Sequence, residues 1–249
     1  MNLDTFNIIC IIWSLIGVAS FVLLQFVRAP YGRHIKKGWG KEISNKLGWI
    51  LMELPSFLII LYFYLSYQQS NYASLLSILW IIHYFNRTFI YPFRIRTKNK
   101  KIPLAIVSSA VFFNLMNASL NGYYLANFEQ YDSSSFLNWS FYLGIILFVL
   151  GFIINQISDT ILINLRKPGE VGYKIPKNFL FNYISCPNHL GELIQWTGFA
   201  IMAWNLPALS FLIWTAANLL PRAAGHHKWY KEKFKNYPKN RKALLPKIW

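Results

Sequence analysis

TFNIICIIWSLIGVASFVLLQFV, residues 5–27, runs directly into RAPYGRHIKKGWGKEISNK, residues 28–46. The first stretch holds no Asp, Glu, Lys or Arg and is longer than the about 20 residues a helix needs to cross bilayer hydrocarbon. The second holds six Lys and Arg. An uncharged run of spanning length, closed by a basic segment, is the pattern of a membrane helix whose end is held at one face. The only charge before it is Asp4, and no small-residue cleavage pattern follows, so the stretch reads as a retained first span and not as a secretory leader.

The same alternation continues outward from this point. Residues 102–127, 136–156 and 200–220 are also free of Asp, Glu, Lys and Arg. Of the 249 residues, 55% are hydrophobic and only 14% charged, with a mean hydropathy of +0.30. Soluble globular chains carry about 25% charged residues, so disorder is excluded and lipid is the expected solvent. The patterning predicts an all-α, polytopic membrane protein with seven helices, near residues 3–27, 48–67, 73–93, 102–126, 136–163, 187–204 and 206–222. With no internal repeat, no low-complexity linker and no break in composition, residues 1–249 read as a single seven-helix domain.

Charge sets the expected orientation. The connectors 28–46, 94–101 and 166–177 and the tail from Arg222 hold 24 of the 25 Lys and Arg, leaving only Arg87 elsewhere. Asp4, Glu129 and Asp132 fall on the opposite side. The positive-inside rule then puts the N-terminus outside and the C-terminus in the cytoplasm. The net charge of +16 thereby acquires a topological meaning, and nucleic acid loses its claim as a partner. The expected location is integral and multi-pass, in the inner membrane of a bacterium or the endoplasmic reticulum of a eukaryote, with membrane lipid as the surroundings. Cys10 and Cys186 give neither a disulfide framework nor a CxxC pair.

Ionisable side chains inside spans cost free energy unless they meet a partner or a polar cavity. Glu53 lies in the second predicted span, His83 and Arg87 at i and i+4 in the third with Tyr84 beside them, and Asp159 near the end of the fifth. Three polar stripes point to one membrane face: Asn155, Asp159 and Arg166 at i, i+4 and i+11; Asn188, Glu192 and Gln195 at i, i+4 and i+7; Arg222, His226 and Tyr230 at i, i+4 and i+8. Carboxylates suit ribose hydroxyls, amides and rings suit a base, and guanidinium groups bind phosphate bidentately. That inventory fits a nucleotide, and one with an additional phosphate in particular. The chain contains no GxGxxG and no GxxxxGK[ST], so neither glycine-rich phosphate loop is available. A metal is not expected: among His34, His83, His189, His226 and His227 only the last two are close in sequence, and helical neighbours point about 100° apart.

In order and spacing, several stretches resemble the steroid 5-alpha-reductase family. They are Glu53-Leu54-Pro55-Ser56-Phe57, His83-Tyr84-Phe85-Asn86-Arg87-Thr88-Phe89, Asn155 to Asp159, Leu165 to Glu170, Asn188 to Trp196 and His226 to Pro246. The resemblance runs from about Ala29 to Trp249. It implies a seven-span oxidoreductase that takes hydride from NADPH and adds it to the double bond of a 3-oxo-delta-4 steroid, a lipophilic small-molecule substrate. It further implies Glu53 and Tyr84 as the pair that hydrogen-bonds the 3-oxo group. Asn155, Asp159, Arg166, Tyr173, Asn188, Glu192, Arg222, His226, Tyr230 and Arg241 match cofactor positions. Gln195 stands where glutamate is common, and Gly225 replaces a histidine. The residues support the chemistry independently, because conjugate hydride addition turns a carbonyl oxygen into an incipient enolate that needs donors set in place beforehand. Tyr84 donates directly, whereas Glu53 donates only when protonated, a form that apolar surroundings favour. Reductases of other sterol-like, polyprenoid or enoyl-thioester lipids, a membrane methyltransferase and a lipid transporter are the alternatives; the arginine-rich site speaks against S-adenosylmethionine, which has no phosphate.

Overall fold

The computed structural model describes residues 1–26, 38–96, 100–166, 170 and 172–249. Arg28, Arg33, Lys36, Lys37, Lys98 and Lys167 of the basic connectors, together with His34, lie outside the described residues. The chain is mostly helical. Its helices are α1 (Leu3–Phe26), α2 (Asn45–Ser66), α3 (Asn71–Phe85), α4 (Tyr91–Arg94), α5 (Leu104–Asn127), α6 (Trp139–Asn164), α7 (Pro187–Ala203) and α8 (Leu206–Lys233). Four of them, α1, α2, α5 and α6, are long and apolar enough to cross a membrane. Large apolar side chains such as Leu15 and Leu23 on α1 and Ile146 on α6 face outward, the surface a lipid solvent requires.

The structure departs from the sequence reading at three places. The third predicted helix is interrupted: α3 passes into a π turn, Asn86–Ile90, in which the Tyr91 N–H donates to the Asn86 carbonyl, before α4 resumes. The last helix runs on to Lys233, because the charges that begin at Arg222 mark a change of solvent and do not stop a helix that continues through good helix formers such as Ala223, Ala224, Lys228 and Lys231. The all-α expectation also missed a short antiparallel ribbon, β1 (Glu42–Ser44) with β2 (Lys101–Pro103), paired through Ile43 and Ile102.

The described residues fall into two compact units. One takes those of Met1–Trp13, Ala29–Tyr142 and Met202–Ser210; the other takes those of Ser14–Arg28, Leu143–Ile201 and Phe211–Trp249. In the first unit α2 packs closely on α5, since a methyl on Gly122 would strike the Phe63 ring and one on Gly48 the Ile102 side chain. Its helices start on serine caps: Ser44 accepts from the Leu47 N–H and Ser70 from the Ala73 N–H, both at 3.2 Å. Ser70 is itself fixed by Glu129, whose carboxylate accepts its N–H at 2.9 Å and its hydroxyl at 3.0 Å.

In the second unit α6 and α7 cross through glycine. A Cβ on Gly191 would lie 2.5 Å from the Asn155 nitrogen, and one on Gly198 would lie 2.5 Å from the Gly144 oxygen. Backbones that touch in this way draw together polar side chains one turn away, as small residues do in membrane helix pairs. The C-terminal tail closes the same unit: Lys242 pairs with Ile184 as an isolated parallel bridge, the Ser185 N–H donating to the Lys242 carbonyl at 2.9 Å.

Candidate active site

Glu53 and Tyr84 belong to the first unit, and all ten residues matched to cofactor positions belong to the second. In the first unit Glu53 has a cation beside it. The Arg87 guanidinium stands 3.8 Å from its carboxylate, both side chains being largely buried at 11% and 14% exposure. Arg87 comes from the π turn, where the widened coil presents it between the rings of Trp49 at 4.8 Å and Tyr91 at 4.5 Å. Its cation is therefore flanked by two aromatic rings and faced by one carboxylate. The i, i+4 spacing to His83 remains, yet the residue this arginine faces lies across on α2.

Tyr84 is buried and its ring stacks on Trp80 at 5.4 Å. Its hydroxyl donates to Asn114 Oδ1 at 3.3 Å, and Ser56 Oγ donates to the same oxygen at 2.8 Å. Asn114 Nδ2 donates to the Met52 carbonyl at 2.6 Å, which decides which way its amide faces. Ser56 in turn offers its carbonyl to the Trp80 indole N–H at 3.2 Å. Sequence reasoning passed over Ser56 and Asn114 because neither is charged. A signal was present, since Asn114, Asn117 and Asn121 stand at i, i+3 and i+7 in an apolar helix and all three are buried.

In the second unit the glycine crossing joins two of the three stripes directly, with Asn155 Nδ2 donating to the Asn188 carbonyl at 3.1 Å. Asp159, buried, follows one turn along α6, and Glu192, half-buried, one turn along α7. Gln195 is fully buried at this crossing, its backbone N against Gly151. Arg166 departs from its expected register because α6 ends at Asn164. It instead donates to the Gly172 carbonyl at 3.2 Å and lies 5.9 Å from the Tyr173 ring. Tyr173 meets Trp229 edge-on at 4.9 Å. On α8 the third stripe does lie on one helix: Arg222 reaches Asn218 at 3.5 Å, the His226 ring lies 5.6 Å from that of His189, and Tyr230 stacks on Tyr237 at 5.3 Å. Arg241 is buried beside Tyr237, donating to the Pro176 carbonyl at 2.9 Å.

A dinucleotide phosphate can be tested against this unit. Among the described residues, Ser158 Oγ and Arg241 Nε are buried with no hydrogen-bond partner, an uncommon state that a polar ligand relieves. The same unit carries three arginines, two carboxylates, two asparagines and two tyrosines among the matched residues, a set of side chains whose chemistry fits such a group. Among the described residues no cluster of metal-ligating side chains occurs.

One polar cluster in this unit had no counterpart in the sequence reading. Ser185 Oγ lies 2.6 Å from His227 Nδ1, 2.6 Å from the Tyr237 hydroxyl and 3.1 Å from the Lys242 carbonyl. One hydroxyl hydrogen and two lone pairs serve all three when His227 and Tyr237 donate to it and the Lys242 carbonyl accepts from it. Burial, then Lys231 and Lys242, pulls the His227 pKa below its ordinary value.

Residues 100–249 match the family described as 3-oxo-5-alpha-steroid 4-dehydrogenase. Steroid 5-alpha-reductase DET2 of Solanum lycopersicum is 40% identical over 249 residues, covering 98% of this chain and 96% of its own. The protein of that name from Gossypium hirsutum is 39% identical over 242 residues, 94% of each chain. A 3-oxo-5-alpha-steroid 4-dehydrogenase 1 from Rattus norvegicus is 38% identical over 253 residues, covering 99% of this chain and 97% of its own.

Proposed function

Because this chain belongs to the 3-oxo-5-alpha-steroid 4-dehydrogenase family, we propose that it reduces the delta-4 double bond of a 3-oxo-delta-4 steroid to the 5-alpha-reduced 3-oxo product. It is an oxidoreductase acting on CH–CH bonds. The observation that carries the steroid assignment is the 38–40% identity, nearly end to end, to enzymes that bear this name.

In this reading NADPH, when bound, supplies the hydride for the enone beta carbon, and the protein does the rest. Asp159 and Glu192 take ribose hydroxyls, Asn155, Asn188, Tyr173, His226 and Tyr230 hold the base and amide ends, and Arg166, Arg222 and Arg241 receive phosphate. Glu53 and Tyr84 hydrogen-bond the 3-oxo group. Tyr84 donates its phenol hydrogen to the oxygen as negative charge gathers there. Glu53 donates when its carboxyl carries a proton, and Arg87, 3.8 Å away, holds the carboxylate when it does not. A proton from solvent at the enolate alpha carbon completes the addition of two hydrogens.

Residues 1–249 act as one reductase domain that crosses the membrane seven times, with the N-terminus outside and the C-terminus in the cytoplasm, where soluble nicotinamide is available. The segregation of 24 of 25 Lys and Arg supports that orientation. The test is incubation of purified protein with NADPH and a panel of 3-oxo-delta-4 steroids and other enone lipids, products being identified by mass. A steroid product two hydrogens heavier is expected. Reduction of only non-steroidal enones would move the substrate class, and no reduction of any enone would overturn the reading.

A further inference from the structure

The geometry points to Asn114 as a positioning residue that holds the Tyr84 hydroxyl hydrogen in place before substrate arrives, and to Ser56 as the group that allows its release. The inference rests on Tyr84 being the donor to the substrate oxygen. Asn114 cannot turn its amide round without cost, because Nδ2 donates to the Met52 carbonyl at 2.6 Å; a flip would set oxygen against oxygen there. Its Oδ1 is therefore the fixed acceptor, and two hydroxyls share it. The Ser56 bond is short at 2.8 Å, the Tyr84 bond long at 3.3 Å. All three side chains are buried, Ser56 and Asn114 at 0% and 4% exposure and Tyr84 at 4%, so water does not substitute for a lost partner.

This arrangement divides the work. While no substrate is present, Asn114 satisfies the phenol and fixes the direction of its O–H. When a carbonyl oxygen approaches, Tyr84 exchanges the longer bond for a charge-assisted one, and Oδ1 is not stranded because Ser56 still donates to it. An acceptor with a single donor would resist that exchange, since a buried unsatisfied oxygen is costly. The sharing of Oδ1 is what makes the phenol both ordered and transferable. No proton leaves Tyr84 in the exchange, only the acceptor of its hydrogen bond changes.

The test is a set of double-mutant cycles read by single-turnover reduction with NADPH bound. Asn114→Leu is expected to slow the chemical step about tenfold with NADPH affinity unchanged, and to cost less than twofold more in a Tyr84→Phe background. Ser56→Ala, a small change that the fold tolerates, is expected to slow it severalfold by leaving Tyr84 as the sole donor to Oδ1, again with no further cost beside Tyr84→Phe. Equal costs of either substitution in both backgrounds would make the residue structural and overturn the inference, as would parental rates. Should Asn114→Leu not fold, the Ser56→Ala cycle decides alone. A Tyr84→Phe protein at parental rate would instead sink the donor reading itself, so the two failures are distinguishable.

Discussion

In the proposed mechanism Tyr84 and Glu53 receive the developing charge, and the cost of losing either is expected in the rate. Tyr84→Phe and Glu53→Gln are expected to retain NADPH affinity while losing on the order of 10²-fold in single-turnover rate, the usual scale for one oxyanion donor. Glutamine keeps an N–H donor, so Glu53→Gln is the milder change and Glu53→Ala the more severe. A titration showing NADPH affinity lost together with rate would contradict this division of labour. At the other set, Arg166→Ala, Arg222→Ala and Arg241→Ala are each expected to weaken NADPH about tenfold or more, as loss of a charged hydrogen bond does, with NADH little affected and lysine restoring only part. Equal affinity of the parent for the two nicotinamides would remove the phosphate assignment. His227 supplies a pH dependence. Its folded pKa lies below the unfolded value of about 6.5, so it favours the fold fully above pH 6.5 and withdraws that support as pH falls through its folded value. Melting temperature followed from pH 7.5 to 5 should fall in the parent and fall less in His227→Gln. The charged members of these sets were legible in the sequence, because charge in an apolar helix is conspicuous. Ser56, Asn114 and Ser185 were not, since a serine or asparagine in a span is common and only the fold reveals that several converge.

Elements were legible wherever hydrophobic runs had a clear length, as in α1, α2, α5 and α6. They were misjudged where a change of solvent was taken for a change of structure, as at Arg222 in the middle of α8, whereas the end of α6 at Asn164 agrees with the reading and leaves Arg166 beyond the helix. The π turn at Asn86–Ile90 leaves no pattern in a stretch that reads as helix throughout. It holds one residue more than an α turn would, so deletion of Ile90 is expected to restore regular helix with α3 and α4 keeping nearly their present orientation, and to withdraw Arg87 from the widened coil. The approach of Arg87 to Glu53 would then be lost and the reduction rate lowered; a deletion protein with parental kinetics would show that the π turn has no part in placing Arg87. The glycine crossing of α6 and α7 was equally silent, because glycine in a membrane helix is ordinary until its partner is known. Gly191→Ala sets a methyl 2.5 Å from the Asn155 nitrogen, so the two helices must separate. We expect NADPH affinity to drop about tenfold and melting temperature by several degrees, with overpacking of about 1–3 kcal/mol as the cause. Unchanged affinity in Gly191→Ala would separate the crossing from the cofactor set.

For the whole molecule, segregation of Lys and Arg predicts that the two termini report opposite sides of the membrane. Tags at each end of the protein in sealed vesicles, exposed to protease from one side, should be cut at one end only; cleavage of both would make the number of crossings even. The overall class was legible because lipid imposes a simple code of length and charge, whereas division of the chain into two compact units was not, since neither composition nor spacing changes where the chain passes from one to the other. That division has a consequence for heredity. Four of the five boundaries, after residues 13, 142, 201 and 210, fall inside α1, α6, α7 and α8, so neither unit is a contiguous block of gene. A crossover near residue 130 between two relatives would join the Glu53 and Tyr84 of one parent to the Asp159 and Glu192 of the other. Yet it would also give each unit sequence of foreign origin, 14–28 in one and 131–142 with 202–210 in the other. Recombination therefore cannot exchange the two halves of this chemistry cleanly, and their preferences are left to drift by single substitutions.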